Sequence, residues 1–198
     1  MTYIIPDTKT TWASQLAYTI AAQEKLRLDH NEHGTRFRNK EITQTEWDNY
    51  KKNCFQPLSL EIGKKQSDLR QHIPDDVIAQ NPLSNIAEDG AITFPNGDSW
   101  ESKMGSLVAL LSQLDHDANR DQMSKIMNQT AFHNIPEDAI NEVNLNIQTT
   151  QIINGSINYP NGQKVPVKLK VEETIHSSGR VDKIIHVPTL NTNSKHER

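Results

Sequence analysis

A chain of 198 residues suits one compact domain or two small lobes and can bury about 70% of its unfolded surface without staples. Its hydrophobic fraction is 34%, its 18 Asn and 13 Gln make a large polar surface, and its one Cys excludes a disulfide framework and every Cys-based zinc module. The net charge of −4 divides into +2 over residues 1–74, −9 over 75–150 and +3 over 151–198; this balance disfavours nonspecific duplex binding and suits attraction between unlike segments, within one copy or between copies.

Residues 1–10 read as an extended arm, because Pro6 has no amide proton and biases Ile5 toward extended angles. The opening MTYIIPDTK has neither the basic region nor the apolar run of a secretory signal. No stretch approaches the roughly 18 apolar residues that cross a bilayer, so membrane partners are not expected. Residues 11–74 read as a helical segment. Ala13, Leu16, Ala17, Ile20 and Ala21 recur at three and four residues, which predicts a helix from Thr11 to Leu28. His30 to Lys40 (HNEHGTRFRNK) is polar, contains Gly34 and reads as a loop.

Thr43-Gln44-Thr45-Glu46 is a capping box, the clearest helix start in the chain. Trp47, Tyr50, Cys54 and Leu58 then share one face with Phe55 beside them, and Pro57 predicts a kink or a second short helix ending before Pro74. Residues 75–143 form an acidic helical segment. Its first part, through Gly90, reads as an irregular connection and lobe boundary, and a hairpin is expected near 90–100. Met104, Leu107, Val108, Leu111 and Leu114 predict a helix over Ser99–Leu114; shorter ones are expected around Met123–Met127 and after Pro136.

From about Asn144 the period falls to two. Val165, Val167, Leu169 and Val171 alternate with Pro166, Lys168, Lys170 and Glu172, with strands expected at Ile152–Tyr159 and Val181–Val187 and a turn at Ser177-Ser178-Gly179. Residues 144–190 therefore read as an antiparallel β-meander and 191–198 as a flexible tail. The fold class is α+β, with helical N-terminal and middle segments followed by the C-terminal meander. One turn sequence is repeated: Phe94-Pro95-Asn96-Gly97 returns as Tyr159-Pro160-Asn161-Gly162, suited to a three-residue hairpin with a glycine bulge.

Three clusters invite chemistry. Asp29-His30-Asn31-Glu32-His33 holds two imidazoles and two carboxylates, making His30, His33 and Glu32 metal-ligand candidates, although the spacing is not the metalloprotease pattern and a solvated loop is the favoured reading. Arg36, Phe37, Arg38 and Lys40 combine cations with an aromatic, as single-strand-binding grooves do. Asp115, Asp117, Asn119 and Asp121 begin like a calcium loop, but Arg120 replaces the turn glycine and Ile126 the bidentate glutamate. Cys54 reads as a small core residue, and neither a nucleophile elbow nor a phosphate loop is present. No catalytic or cofactor-binding residue is assigned, and no cofactor is expected.

The stretch RFRNKEITQTEWDNYKKNCFQP, the extended termini and the hairpin turns resemble small structural proteins of bacteriophage virions, of the head–tail junction or tail. That resemblance implies a non-enzymatic assembly protein, in the virion or host cytoplasm, working as a homo-oligomer or within a larger assembly, with arm and tail ordering on neighbouring subunits. It assigns no site residues. The alternatives are a nucleic-acid-binding accessory protein using the Arg36–Lys40 stretch and a metal-dependent enzyme built on Asp29–His33.

Overall fold

The structure, a computed structural model, describes residues 2–3, 5–115 and 118–187. Helix α1 spans Trp12–Arg38, opened by Thr11, whose hydroxyl accepts the Ser14 amide at 3.1 Å. It continues ten residues beyond the expected end at Leu28, so the polar stretch from His30 is helix rather than loop. Its end has the bonding pattern usually taken by glycine. Lys40 is left-handed (φ 61°), its amide donates to the Phe37 carbonyl at 3.0 Å, and the Glu41 amide donates to Arg36 at 2.9 Å.

The capping box forms as expected and opens α2 (Gln44–Tyr50): Thr43 Oγ1 accepts the Glu46 amide at 3.2 Å, and the Glu46 carboxylate accepts the Thr43 amide at 2.7 Å. The helical path then widens over Lys51–Phe55, where the Gln56 amide reaches the carbonyl five residues back. Pro57 has no amide to give and crowds the preceding turn, and the widened turn accommodates it at the start of α3 (Gln56–Gln71). The chain thus stays helical almost to Pro74, in a 16-residue helix that Gly63 does not interrupt.

Helix α4 (Asp75–Gln80) and one tight turn at Leu83–Asn85 make up the irregular connection. The hairpin expected near 90–100 lies earlier. Ile86 bridges Ile92, and the turn is Ala87–Ala91 around Glu88-Asp89-Gly90, with Gly90 at φ 90°. Asp89 Oδ1 accepts the Ala91 amide at 2.9 Å, which stabilises the turn there, while Pro95-Asn96-Gly97 bends without pairing strands. Helices α5 (Trp100–Ser112, capped by Ser99), α6 (Arg120–Met127), α7 (Thr130–His133) and α8 (Glu137–Glu142) follow.

The fold is α+β with the C-terminal meander in place: β2 (Asn146–Asn158), β3 (Lys164–His176) and β4 (Val181–His186) are successive antiparallel neighbours. A two-residue β1 (Thr2–Tyr3) pairs with Ile147 and Asn146 and completes a sheet of order β1-β2-β3-β4. The N-terminal segment is therefore not a free arm. Its strand joins the chain's own sheet, and Lys9 lies 3.2 Å from Glu101, 3.4 Å from Glu142 and 4.2 Å over the Tyr18 ring. The expected tail at 191–198 lies outside the described residues, as does Asp117 of the calcium-like run.

Helix α1 serves two apolar clusters. One joins Tyr18, Ala22 and Leu26 to Tyr50, Cys54 and Leu58, with Val143 and Leu145 from the approach to β2. The other joins Ala17 to Met104, Leu107, Leu110 and Ile126. Between α1 and α5 the backbones approach closely, since a Cβ on Gly105 would stand 2.7 Å from that of Ala13. Helix α1, which gives buried residues to both clusters, thereby holds the sheet's base and α5 in one frame.

Candidate assembly surface

The C-terminal half of α1 holds the base of the sheet through a double file of rings. His30, His33 and Phe37 fall on one helical face. His30 stacks on Phe55 (centroids 4.0 Å), His33 on Tyr50 (4.0 Å) and Phe37 on Trp47 (5.7 Å). Two histidines here do the work of aromatic packing residues, which is why a segment polar in composition remains helical. Burial of both imidazoles lowers their pKa values, with Lys51 adding to the effect at His30 and Arg36 at His33.

The metal candidates do not converge. Asp29 accepts the Ser177 hydroxyl, His30 faces Phe55, Glu32 points to solvent and His33 faces Tyr50. Among the described residues no group of three or more His, Cys, Asp or Glu is placed to hold a metal ion. The candidates for nucleic-acid contact are engaged locally. Arg36 Nε lies 3.9 Å from Glu41, Phe37 is stacked on Trp47, Arg38 donates to Thr35 Oγ1 at 2.9 Å, and Lys40 ends the helix. Cys54 is 1% exposed, its thiol donates to the His176 carbonyl at 3.3 Å, and burial pushes its pKa up to about 12, so it is no thiolate at neutral pH.

The turn joining β3 to β4 docks on this ring file. Ser177 donates to Asp29, and Gly179 (φ 81°) lies against the His33 ring. Beside them opens a groove of about 310 Å³ lined by His33, Arg36, Ile42, Tyr50 and Val181, among others. The Tyr50 hydroxyl is buried there without a protein partner, and desolvation raises its pKa.

Beyond this anchored base the sheet runs out into solvent. The register puts Ile153, Val167, Leu169, Val171, Ile185 and Val187 on one face, because directly opposed residues share a face and alternate along each strand. Val171 is buried near the base, but Ile185 is 57% exposed and Val187 60%. The opposite face is polar except for Ile152 and Ile184, 71% and 59% exposed. Every residue of β4 is exposed, and among the described residues no strand pairs with its outer edge.

Sequence pattern located this meander and its apolar face but not the base that holds it. The ring file is detectable only if histidine is counted as an aromatic at i, i+3 and i+7, and the contacts of Asp29 with Ser177 and His33 with Gly179 join residues almost 150 positions apart. No protein-family model, curated protein or solved structure matches this chain.

Proposed function

We propose that this chain is a non-enzymatic structural protein that acts through protein–protein contacts in a larger assembly, a virion component of the head–tail or tail class that its sequence resembles. The observation that carries this reading is the meander itself: a strand pair 13 residues long, clamped at one end to the helical body and exposing branched apolar side chains on both faces of its outer strand. Such an apolar surface is what a partner covers. Support also comes from the chemistry-bearing side chains. Asp29, His30 and His33 are engaged in packing and hydrogen bonding, and the Cys54 thiol stays protonated at neutral pH.

The test is to co-express the full chain with the products of its flanking genes and measure the mass of purified complexes by light scattering. A defined complex, lost when Ile153 and Leu169 are both replaced by Asp, is expected. A chain that remains alone with every neighbour and turns over a substrate overturns the proposal.

A further inference from the structure

We infer that β4 is a dimerisation strand: two copies of this chain pair their β4 edges antiparallel about Ile184, joining two four-stranded sheets into one of eight. This rests on the assembly reading above and names the partner as a second copy.

Ladder phase comes first. The His176 amide donates to the Arg180 carbonyl at 2.9 Å, which makes 176 and 180 a hydrogen-bonded pair. Alternation along an antiparallel ladder then directs the amides and carbonyls of Asp182, Ile184 and His186 toward β3, and those of Val181, Lys183, Ile185 and Val187 outward. The outward groups have no strand partner among the described residues. Outward-facing groups of one copy must meet outward-facing groups of the other, and the two apolar faces must stay on the same side. Both conditions restrict a symmetric pairing to centres on a residue.

Side chains choose among those centres. A centre at Lys183 sets two ammonium groups directly opposite each other, which is destabilising. A centre at Ile185 sets Val181 and Asp182 opposite the partner's positions 189 and 188, outside the described residues. Ile184 is the midpoint of Val181–Val187, so a centre there pairs every residue of β4 and Val187 just beyond it. Asp182 then faces the partner's His186, Lys183 faces the partner's Ile185, and Ile184 faces the partner's Ile184. Ile184, Ile185 and Val187 are each flanked by a side chain of the other copy, and the face that carries Ile185 and Val187 continues into the partner sheet. Lys183 keeps its ion pair with Glu173 while its aliphatic stem lies on the neighbouring isoleucine.

The experiment uses the full chain. Sedimentation equilibrium is expected to give twice 22.5 kDa for the parent. Ile185→Pro removes an outward amide without touching a bond to β3 and is expected to give the single mass with an unchanged circular dichroism spectrum. Ile184→Cys places two thiols across a close non-hydrogen-bonded pair and is expected to cross-link on mild oxidation, whereas Asp182→Cys is not. A parent of single mass at every concentration, a dimer that survives Ile185→Pro, or equal cross-linking at 182 and 184 overturns the inference. Any of these results alongside a complex with flanking gene products leaves the assembly reading standing. Absence of that complex, with the dimer intact, tells against the head–tail assignment instead.

Discussion

The His33 imidazole occupies the space that a side chain at Gly179 would need: a Cβ built there would stand 2.9 Å from Nε2 and nearer still to Cε1. The glycine is also left-handed, at φ 81°. Two separate penalties therefore meet at one position, a backbone strain of about 1–2 kcal/mol and overpacking of about 1–3 kcal/mol. Gly179→Ala is expected to cost about 2–4 kcal/mol in denaturant unfolding. Gly162, at φ 83° with open space around it, is the control, and Gly162→Ala is expected to cost only about 1–2 kcal/mol.

The same ring file predicts a pH dependence. Burial lowers the pKa of both His30 and His33 in the fold, while the unfolded chain protonates them near the ordinary 6.5. Their contribution to stability is therefore fully present above pH 6.5 and is lost as pH falls through the lowered folded values. The melting temperature should decline from pH 7.5 toward pH 5, and the slope should flatten in a His30→Gln, His33→Gln double variant measured over the same range.

Gly105 lets α1 and α5 touch. Alanine there would gain about 1 kcal/mol of helix propensity but would set its Cβ 2.7 Å from that of Ala13, with Gly105 itself on buried helical backbone. Gly105→Ala is expected to lower stability by a net 1–2 kcal/mol or so, read as a reduced urea midpoint. A rise would mean that the two helices can separate freely.

At the other end of α1 the local rule points the opposite way. Lys40 holds a left-handed conformation that glycine adopts without strain, and among the described residues its side chain makes no ion pair. Lys40→Gly is expected to raise stability by about 0.5–1 kcal/mol and the melting temperature by about 1–4 °C.

Thr43 opens α2 with both halves of its capping box made, and α2 carries Trp47 and Tyr50 into the ring file. Thr43→Ala is expected to cost about 0.5–2 kcal/mol in thermal unfolding. Hydrogen exchange should speed up at the amides of Glu46 and Trp47 before it does so in α3.

Local signals in the sequence were reliable wherever the stabilising contact was itself local. Thr43 with Glu46, the helix start at Ser99, the Asn161-Gly162 turn and the two-residue period of Val165–Val171 all emerge as read. Two departures from the local reading share one cause. His30–Lys40 remains helical because Phe55, Tyr50 and Trp47 stack on it, and Thr2–Tyr3 is extended because Asn146 and Ile147 receive it. Neither partner is visible from within the segment. The turn at Glu88-Asp89-Gly90 was missed for a different reason, since the Pro-Asn-Gly echo a few residues later carried the stronger propensity but lacked a strand to pair with. For the candidate surface, the face and its exposed residues follow from alternation, whereas the anchoring of the sheet to Asp29 and His33 comes from long-range geometry alone.

Because β1 pairs with residues 146 and 147, Thr2 and Tyr3 wait during synthesis for a partner more than 140 residues further along the chain. At a synthesis rate of about 5–20 residues per second, that interval is on the order of ten seconds, during which the α1 surface lacks its cover from α5 and the approach to β2. Nascent-chain arrest short of position 147 should therefore leave the Thr2–Tyr3 segment open to proteases and to chaperone capture, and release should close it in one late, concerted step.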